Sequence, residues 1–259
     1  MPTVSTLHRQ GDLIHPELVC GDLDDSYAFY QSLFGWDYRP GVVGPHYIAT
    51  RDGADCAGLA HTVTRSEEVP NDWLPYVSVD DPDRTCRQIA ELGGRVLLAA
   101  RDLGEFGRIA FVADPFGAIF ALWRGGPVAG LHVIGEMGTL CMAELFTPEP
   151  DVSRRFYETI FGLELFATGS AGDSLPVYGR ADSNELPVLV SPAMALPTGN
   201  RARWLVYLGV ADLDRFLDEV QGSGGRIIAS PAMRDGRRVA FVGDPNGATL
   251  GVVETASRR

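Results

Sequence analysis

The chain has 259 residues, 45% hydrophobic and 22% charged, values that fit two globular units with cores of their own and argue against intrinsic disorder. Its formal net charge of −12 is uneven: residues 1–130 carry 10 Arg against 18 acids, and residues 131–259 carry 12 against 16. That field disfavours nucleic acid and anionic membranes, and because every basic residue is an arginine, lysine Schiff-base chemistry is excluded as well.

The first strand is predicted over residues 15–20. Asp24, Asp25 and Ser26 then supply capping side chains for a helix that presents Phe29, Tyr30, Leu33 and Phe34 until Gly35 stops it. A strand over 74–79 precedes a second helix closed by Gly93-Gly94, and strands follow over 95–100, 108–113 and 118–123. The last two are joined by Asp114-Pro115-Phe116-Gly117, in which proline fixes φ and glycine supplies the permissive position. Gly125-Gly126-Pro127 opens a linker that runs towards Gly138. The order then restarts. A strand over 140–147 leads to a helix from near Asp151 presenting Phe156, Ile160 and Phe161. A strand over 204–210 leads to a helix with Leu213, Phe216, Leu217 and Val220 at helical spacing.

The restart is a duplication. Phe29-Tyr30…Phe34-Gly35 returns as Phe156-Tyr157…Phe161-Gly162, and Trp73-Leu74-Pro75-Tyr76 as Trp204-Leu205-Val206-Tyr207. Gly93-Gly94-Arg95 returns as Gly224-Gly225-Arg226, and Phe111-Val112-Ala113-Asp114-Pro115 as Phe241-Val242-Gly243-Asp244-Pro245. Four landmarks in one order at offsets of 127 to 131 mean that any site must be read as two related sites. No apolar run reaches the ~18 residues of a membrane span, and residues 1–10 lack a signal peptide's apolar stretch. Cys20, Cys56, Cys86 and Cys141 form no CxxC pair and read as small core residues of a reducing compartment, so a cytoplasmic protein is expected.

Each half thus divides into two βαβββ units. With Phe-Tyr-x-x-x-Phe-Gly on the first helix and Phe-Val-x-Asp-Pro-x-Gly before the last strand of both halves, the chain resembles the glyoxalase/bleomycin-resistance/extradiol-dioxygenase superfamily, or vicinal oxygen chelate proteins, in the tandem form found in actinomycetes. The resemblance implies an α+β fold of four βαβββ units. These would form two tandem domains with curled, cup-shaped mixed sheets, at 10–126 and 138–256 with a linker at 127–137. In the metal-using members it also implies His or Glu side chains, from the first and last strands of each unit, meeting at one divalent ion. Carried onto this chain, those positions fall on His15, Leu74 and Ala121. The fourth falls between Leu59 and His61, where His61 alone can coordinate. In the second half they fall on Met142, Leu205, Gly251 and near Ser191, and no histidine follows His132. A Lewis-acid site needs three or more N or O ligands with an open position. No cofactor is therefore expected, and His15 and His61 are metal ligands only under the alternative of a metal-dependent enzyme.

Strand alternation places Glu17 and Val19 on the face of His15, with Tyr76, Ser78 and Trp123 on the neighbouring strands. Glu144, Phe146 and Tyr207 are their counterparts in the second half. A carboxylate among aromatic rings suits a flat, cationic organic ligand, whereas pairing with arginine is the structural explanation for the same glutamates. Glu17, Val19, Tyr76, Trp123, Glu144, Phe146 and Tyr207 are accordingly the candidate ligand-binding residues. No GxSxG, Walker or GxGxxG motif appears in a strand-to-helix context, and no nucleophile–base pair is evident. Arg101, Arg108 and Arg238 are candidates for an anionic substrate or for plain surface charge.

The expected function is metal-independent binding or sequestration of a hydrophobic aromatic, polyketide- or antibiotic-like small molecule, for antibiotic resistance or as an accessory to biosynthesis. The alternative is a metal-dependent lyase, isomerase or oxygenase of the same superfamily, or a metal-free enzyme with Glu17 or Glu144 as general base. A structural partner of a biosynthetic enzyme is a third reading. The expected assembly is a monomer or homodimer without nucleic-acid or membrane partners.

Overall fold

The computed structural model describes residues 8–41, 44–61, 69, 71–125, 133–162, 166–167, 177–179, 188–192, 202–234 and 236–255. Residues 126–132, which include most of the predicted linker and His132, lie outside the described residues. Four βαβββ units follow one another. The first is β1 (Leu13–Cys20), α1 (Leu23–Phe34), β2 (Asp37–Pro40), β3 (His46–Arg51) and β4 (Ala54–His61). The second is β5 (Asp72–Ser78), α2 (Pro82–Glu91), β6 (Arg95–Asp102), β7 (Gly107–Ala113) and β8 (Ile119–Gly125). The third is β9 (Leu140–Thr147), α3 (Pro150–Phe161), β10 (Phe166–Ala167), β11 (Val177–Gly179) and β12 (Val188–Pro192). The fourth is β13 (Arg203–Val210), α4 (Leu213–Gly222), β14 (Arg226–Arg234), β15 (Arg237–Gly243) and β16 (Thr249–Glu254).

Helix α1 begins before the predicted Asp24, because the Asp22 side chain accepts a hydrogen bond from Asp25 N at 3.0 Å and is the N-cap. Asp24 and Asp25 fall in the first turn, where the helix dipole favours them. Gly35 and Gly162 end α1 and α3 at φ 65°, a left-handed backbone that costs glycine nothing.

Two eight-stranded mixed sheets result, in the orders β2-β3-β4-β1-β5-β8-β7-β6 and β10-β11-β12-β9-β13-β16-β15-β14. Each cup is therefore built from the two consecutive units of one half, joined through the antiparallel pairs β1–β5 and β9–β13. Register shifts near Leu13, Ala49, Val96 and Leu98 insert bulges that bend the first sheet.

The helix-covered faces of the two sheets pack against each other. Phe34 of α1 meets Phe216 of α4 with ring centroids 5.2 Å apart, and one apolar core runs from Leu18, Tyr30 and Trp73 to Val206, Leu217 and Leu250. A second core joins Ile89, Phe120 and Leu122 to Leu145, Phe156 and Phe161. The halves are thus related by a pseudo-twofold axis that passes between β5 and β13. The repeated motifs meet there. Tyr30 donates to Asp244 Oδ2 at 3.1 Å and accepts from Trp73 Nε1 at 2.8 Å. Tyr157 donates to Asp114 Oδ2 at 3.1 Å and accepts from Trp204 Nε1 at 3.0 Å. The other oxygen of each aspartate closes its own Asp-Pro turn, accepting from Ala248 N or Ala118 N at 2.8 Å. Asp72 and Arg203, equivalent positions at an offset of 131, form an ion pair across the axis. Trp36 Nε1 donates to Gly138 O at 2.9 Å, so the end of the predicted linker is held by the first half. Among the described residues no helix is long and apolar enough to cross a membrane.

Candidate functional site

The first inner face is organised by Glu17. Register places it beside Gly58 of β4 and opposite Leu74 of β5, while His15 faces Tyr76 and Tyr76 lies beside Ala121 of β8. Tyr76 donates its hydroxyl hydrogen bond to Glu17 Oε1, which answers the cost of a carboxylate only 2% exposed. His15 meets the Tyr76 ring edge-on, with centroids 5.4 Å apart. Gly58 leaves room for both side chains: a Cβ would come within 2.6 Å of His15 Nε2 and 3.0 Å of Glu17 Oε2. Phe111 and Trp123 complete an aromatic wall, at 6.1 Å and 6.5 Å from Tyr76.

His46 joins this cluster from β3. Paired with Ala60, it shares the inner face, and its Nε2 lies 3.2 Å from Glu17 Oε2, buried and without an aligned hydrogen bond. Sequence reasoning missed it because β2 and β3 carry none of the repeated landmarks that set register elsewhere. Its phase relative to β4 was the signal that could have found it.

On the second inner face Glu144 is fully buried and accepts from Ser191 Oγ on one oxygen and from Tyr207 OH on the other. Arg234 Nε stands 3.9 Å from Glu144 Oε1 and has no hydrogen-bond partner of its own. Burial pushes the Glu144 carboxyl above its usual range, opposed by its two hydrogen bonds and by the arginine charge. Burial, and then the adjacent carboxylate, raise the Tyr207 phenol as well. The Tyr207 ring lies over Gly251, where a Cβ would meet it at 2.5 Å, and Phe241 sits 6.0 Å from both Phe146 and Tyr207. All seven candidate residues thus lie on the inner faces. Val19, Phe146, Glu144 and Tyr207 are fully buried, and Trp123 is half-buried.

The metal-ligand positions do not fit a metal. Leu74, Ala121, Met142, Leu205 and Gly251 offer no side-chain nitrogen or oxygen, and the inner-face residues of β4 are Gly58 and Ala60. His61 pairs with Cys20 on the opposite, helix-covered face, so the sequence-based pairing of His15 with His61 fails: one residue of phase turns it away. Among the described residues no group of three or more His, Cys, Asp or Glu is arranged to hold a metal ion.

Other expectations are settled by contacts. Arg108 binds Asp83 at 2.7 Å and Asp102 at 2.9 Å, and Arg238 binds Asp214 at 2.9 Å and Glu254 at 3.4 Å. Both guanidinium groups are paired with carboxylates of the chain, in keeping with plain surface charge; Arg101 is half-buried on β6. The four cysteines are free and buried, and burial holds the thiols of Cys20 and Cys86 at about 11 and those of Cys56 and Cys141 at about 12, far from thiolate chemistry at neutral pH.

The chain matches the profile of the glyoxalase/bleomycin resistance protein/dioxygenase superfamily over residues 12–122 and 139–252. It is 33% identical to CFP32 of Mycobacterium tuberculosis (strain CDC 1551 / Oshkosh), a candidate glyoxylase by name, over 97% of this chain and 98% of that one. It is 32% identical to the anthracycline biosynthesis protein DnrV of Streptomyces peucetius, over 92% of this chain and 91% of that one. Among solved structures it superposes on the Mn(II)-bound glyoxalase of Novosphingobium aromaticivorans with a TM-score of 0.64 at 16% identity, over 96% of this chain and 83% of that one. An extradiol ring-cleaving dioxygenase from B. fuscum gives 0.61 at 16%, over 95% and 72%. At such identities these two structures speak for the fold alone.

Proposed function

We propose, for a chain that belongs to the glyoxalase/bleomycin resistance protein/dioxygenase superfamily, that it binds a planar aromatic small molecule of polyketide type without a metal, as a biosynthetic accessory or a resistance protein. One observation carries the reading. The face that would present metal ligands presents instead a buried carboxylate tied to a phenol, with Leu74 and Ala121 at ligand positions and Phe111, Tyr76 and Trp123 as a wall. Rings at these separations and tilts offer stacking and edge contacts to a flat ligand, and the carboxylate offers a counter-charge to an amine. The net charge of −12 favours approach of a cation. A full-length relationship to an anthracycline biosynthesis protein makes an anthracycline the first ligand to try.

The test is a titration of tag-free protein with the fluorescent anthracycline doxorubicin. Saturable binding is expected, weakened about tenfold or more in Trp123→Ala, the loss of one well-packed aromatic contact and its buried area. A linear titration, or an affinity indifferent to Trp123→Ala and Tyr76→Phe alike, overturns the reading.

A metal-dependent lyase, isomerase or oxygenase is the second reading. It is favoured by His15, which stands at a first-strand ligand position with Glu17 on the same face. Native mass spectrometry of protein from metal-replete cells separates the two. A stoichiometric divalent ion supports the enzyme, and a metal-free mass supports the binding protein.

A further inference from the structure

We propose that the second half holds a carboxylate-binding site on its inner face, formed by Arg234 and Arg237 with Glu144 beside them. The site stands independently of the aromatic-binding reading, whose carrying observation lies in the first half.

Arg234 ends β14 and Arg237 begins β15, and the register makes them direct partners across the turn between the two strands. Directly opposed residues of an antiparallel pair point to the same face, with Cα atoms about 4.5–5.5 Å apart. That face is the inner one. Arg234 Nε stands 3.9 Å from Glu144 Oε1, and Val239 and Phe241, next in phase with Arg237 on β15, belong to the inner core with Phe146 and Tyr207. Burial raises the Cys141 thiol and the charge of Arg237 opposes that rise, so this guanidinium acts towards β9 as well. Both arginines are half-buried.

Like charges at directly opposed positions repel each other unless a counter-charge stands between them. The chain supplies little of it. Among the described residues Arg234 Nε is buried without a hydrogen-bond partner, and Arg237 forms no ion pair. Arg238, one residue on and turned to the opposite face, is by contrast held by Asp214 and Glu254. Glu144 cannot serve both inner arginines. Ser191 Oγ occupies one of its oxygens and Tyr207 OH the other, and burial pushes its carboxyl towards the neutral form. A desolvated guanidinium without a partner is costly, and an anion placed between the two removes that cost together with the repulsion.

Two guanidinium forks converging on one point suit a planar oxyanion, which accepts parallel hydrogen bonds from each. A carboxylate brings a single charge, whereas a phosphate group brings nearly two and meets the stronger opposition from Glu144 whenever that group is ionised. Ile228 and Ala229, half-buried against the same inner core, offer apolar contact to the body of an organic acid. The equivalent positions in the first half are Leu103 and Gly107, so the shared fold does not itself require the arginine pair.

The experiment titrates the full, tag-free chain with 2-naphthoate and with the neutral 2-naphthamide by isothermal calorimetry, at neutral pH and low salt. Saturable binding of the acid is expected, about tenfold or more tighter than that of the amide. Arg234→Met and Arg237→Met keep the apolar stem and remove the guanidinium, and each is expected to weaken naphthoate about tenfold. Arg238→Gln, on the outer face of β15, is expected to leave the affinity unchanged. Melting temperatures without ligand read the same pair: relief of the repulsion is expected to raise that of Arg237→Met by about 1–3 °C at low salt, a gain that high salt removes. Equal affinity for acid and amide, no binding of naphthoate, or an affinity that depends on neither arginine overturns the inference. So does an Arg237→Met chain less stable than the parent, as pairing of Arg237 with Asp235 of the turn would make it. Doxorubicin binding and its dependence on Trp123 are decided separately from all of these results.

Discussion

Tyr30→Phe isolates what the repeated motif contributes to joining the halves. The substitution keeps the ring and its neighbours, with Trp73 at 5.3 Å and Trp36 at 6.0 Å, and removes only the hydroxyl that links Trp73 Nε1 to Asp244 Oδ2. Trp73 and Asp244 are each 1% exposed, so water does not replace the missing partner. Two buried groups left unsatisfied at ~1–3 kcal/mol each place the loss at about 3 kcal/mol. For a chain of this size that is a fall of roughly 6–12 °C in melting temperature. Urea unfolding followed by tryptophan fluorescence and by far-ultraviolet circular dichroism gives the number, provided the two transitions coincide. Tyr38→Phe is the control: its hydroxyl makes a 3.4 Å bond to Tyr27 O from a half-buried site, with an expected loss of about 0.5–1 kcal/mol. If Tyr30→Phe costs no more than the control, the hydrogen-bonded seam between the halves is wrong. Tyr157→Phe is expected to match Tyr30→Phe.

Gly251→Ala drives a Cβ into the buried Tyr207 ring and is expected to cost about 1–3 kcal/mol of overpacking in the same urea assay; a neutral result would mean the second inner face has unfilled space. Glu144→Gln is read against pH. Burial holds the Glu144 carboxyl above its usual 4.5, so the folded chain binds that proton more tightly than the unfolded chain does. Its favourable contribution is complete below about 4.5 and lost as pH rises through the raised value, and the glutamine variant is expected to show a smaller fall in melting temperature across that interval. Asp72, Asp114 and Asp244 are shifted in the same direction by burial and keep part of the slope in the variant. An unchanged profile in Glu144→Gln would remove Glu144 from the account.

Much of the fold was legible because its signals are local and occur twice: capping residues, Asp-Pro turns and glycine stops return at nearly constant spacing. The inner-face assignment of Glu17 and Tyr76 also followed from alternation, since β1 and β5 keep their phase through those residues. Alternation failed where phase was unanchored. His61 lies one residue out of phase with the inner face and His46 lies in phase with it, and both stand in strands without a landmark to fix that phase. Arg234 lies beyond two register shifts in β14 that cancel in phase, so alternation gives it the face of Arg226 but not the partner strand's residue it reaches, and its approach to Glu144 is visible only in the structure. The motif tyrosines read correctly as core residues, but periodicity states that a side chain is buried and not which half buries it. Only the structure joins Tyr30 to Asp244, 214 residues away.

The ion pair between Asp72 and Arg203 bears on how the two halves pair. Residues at equivalent positions that meet on a twofold axis face their own copies in any symmetric dimer. Two first halves joined this way would set aspartate against aspartate, and two second halves arginine against arginine, like charges at a half-buried seam. The opposite charges found here require two different partners. At this pair the tandem copies are complementary, and a symmetric pairing of either copy with itself would meet a like-charge repulsion that the pairing within one chain does not.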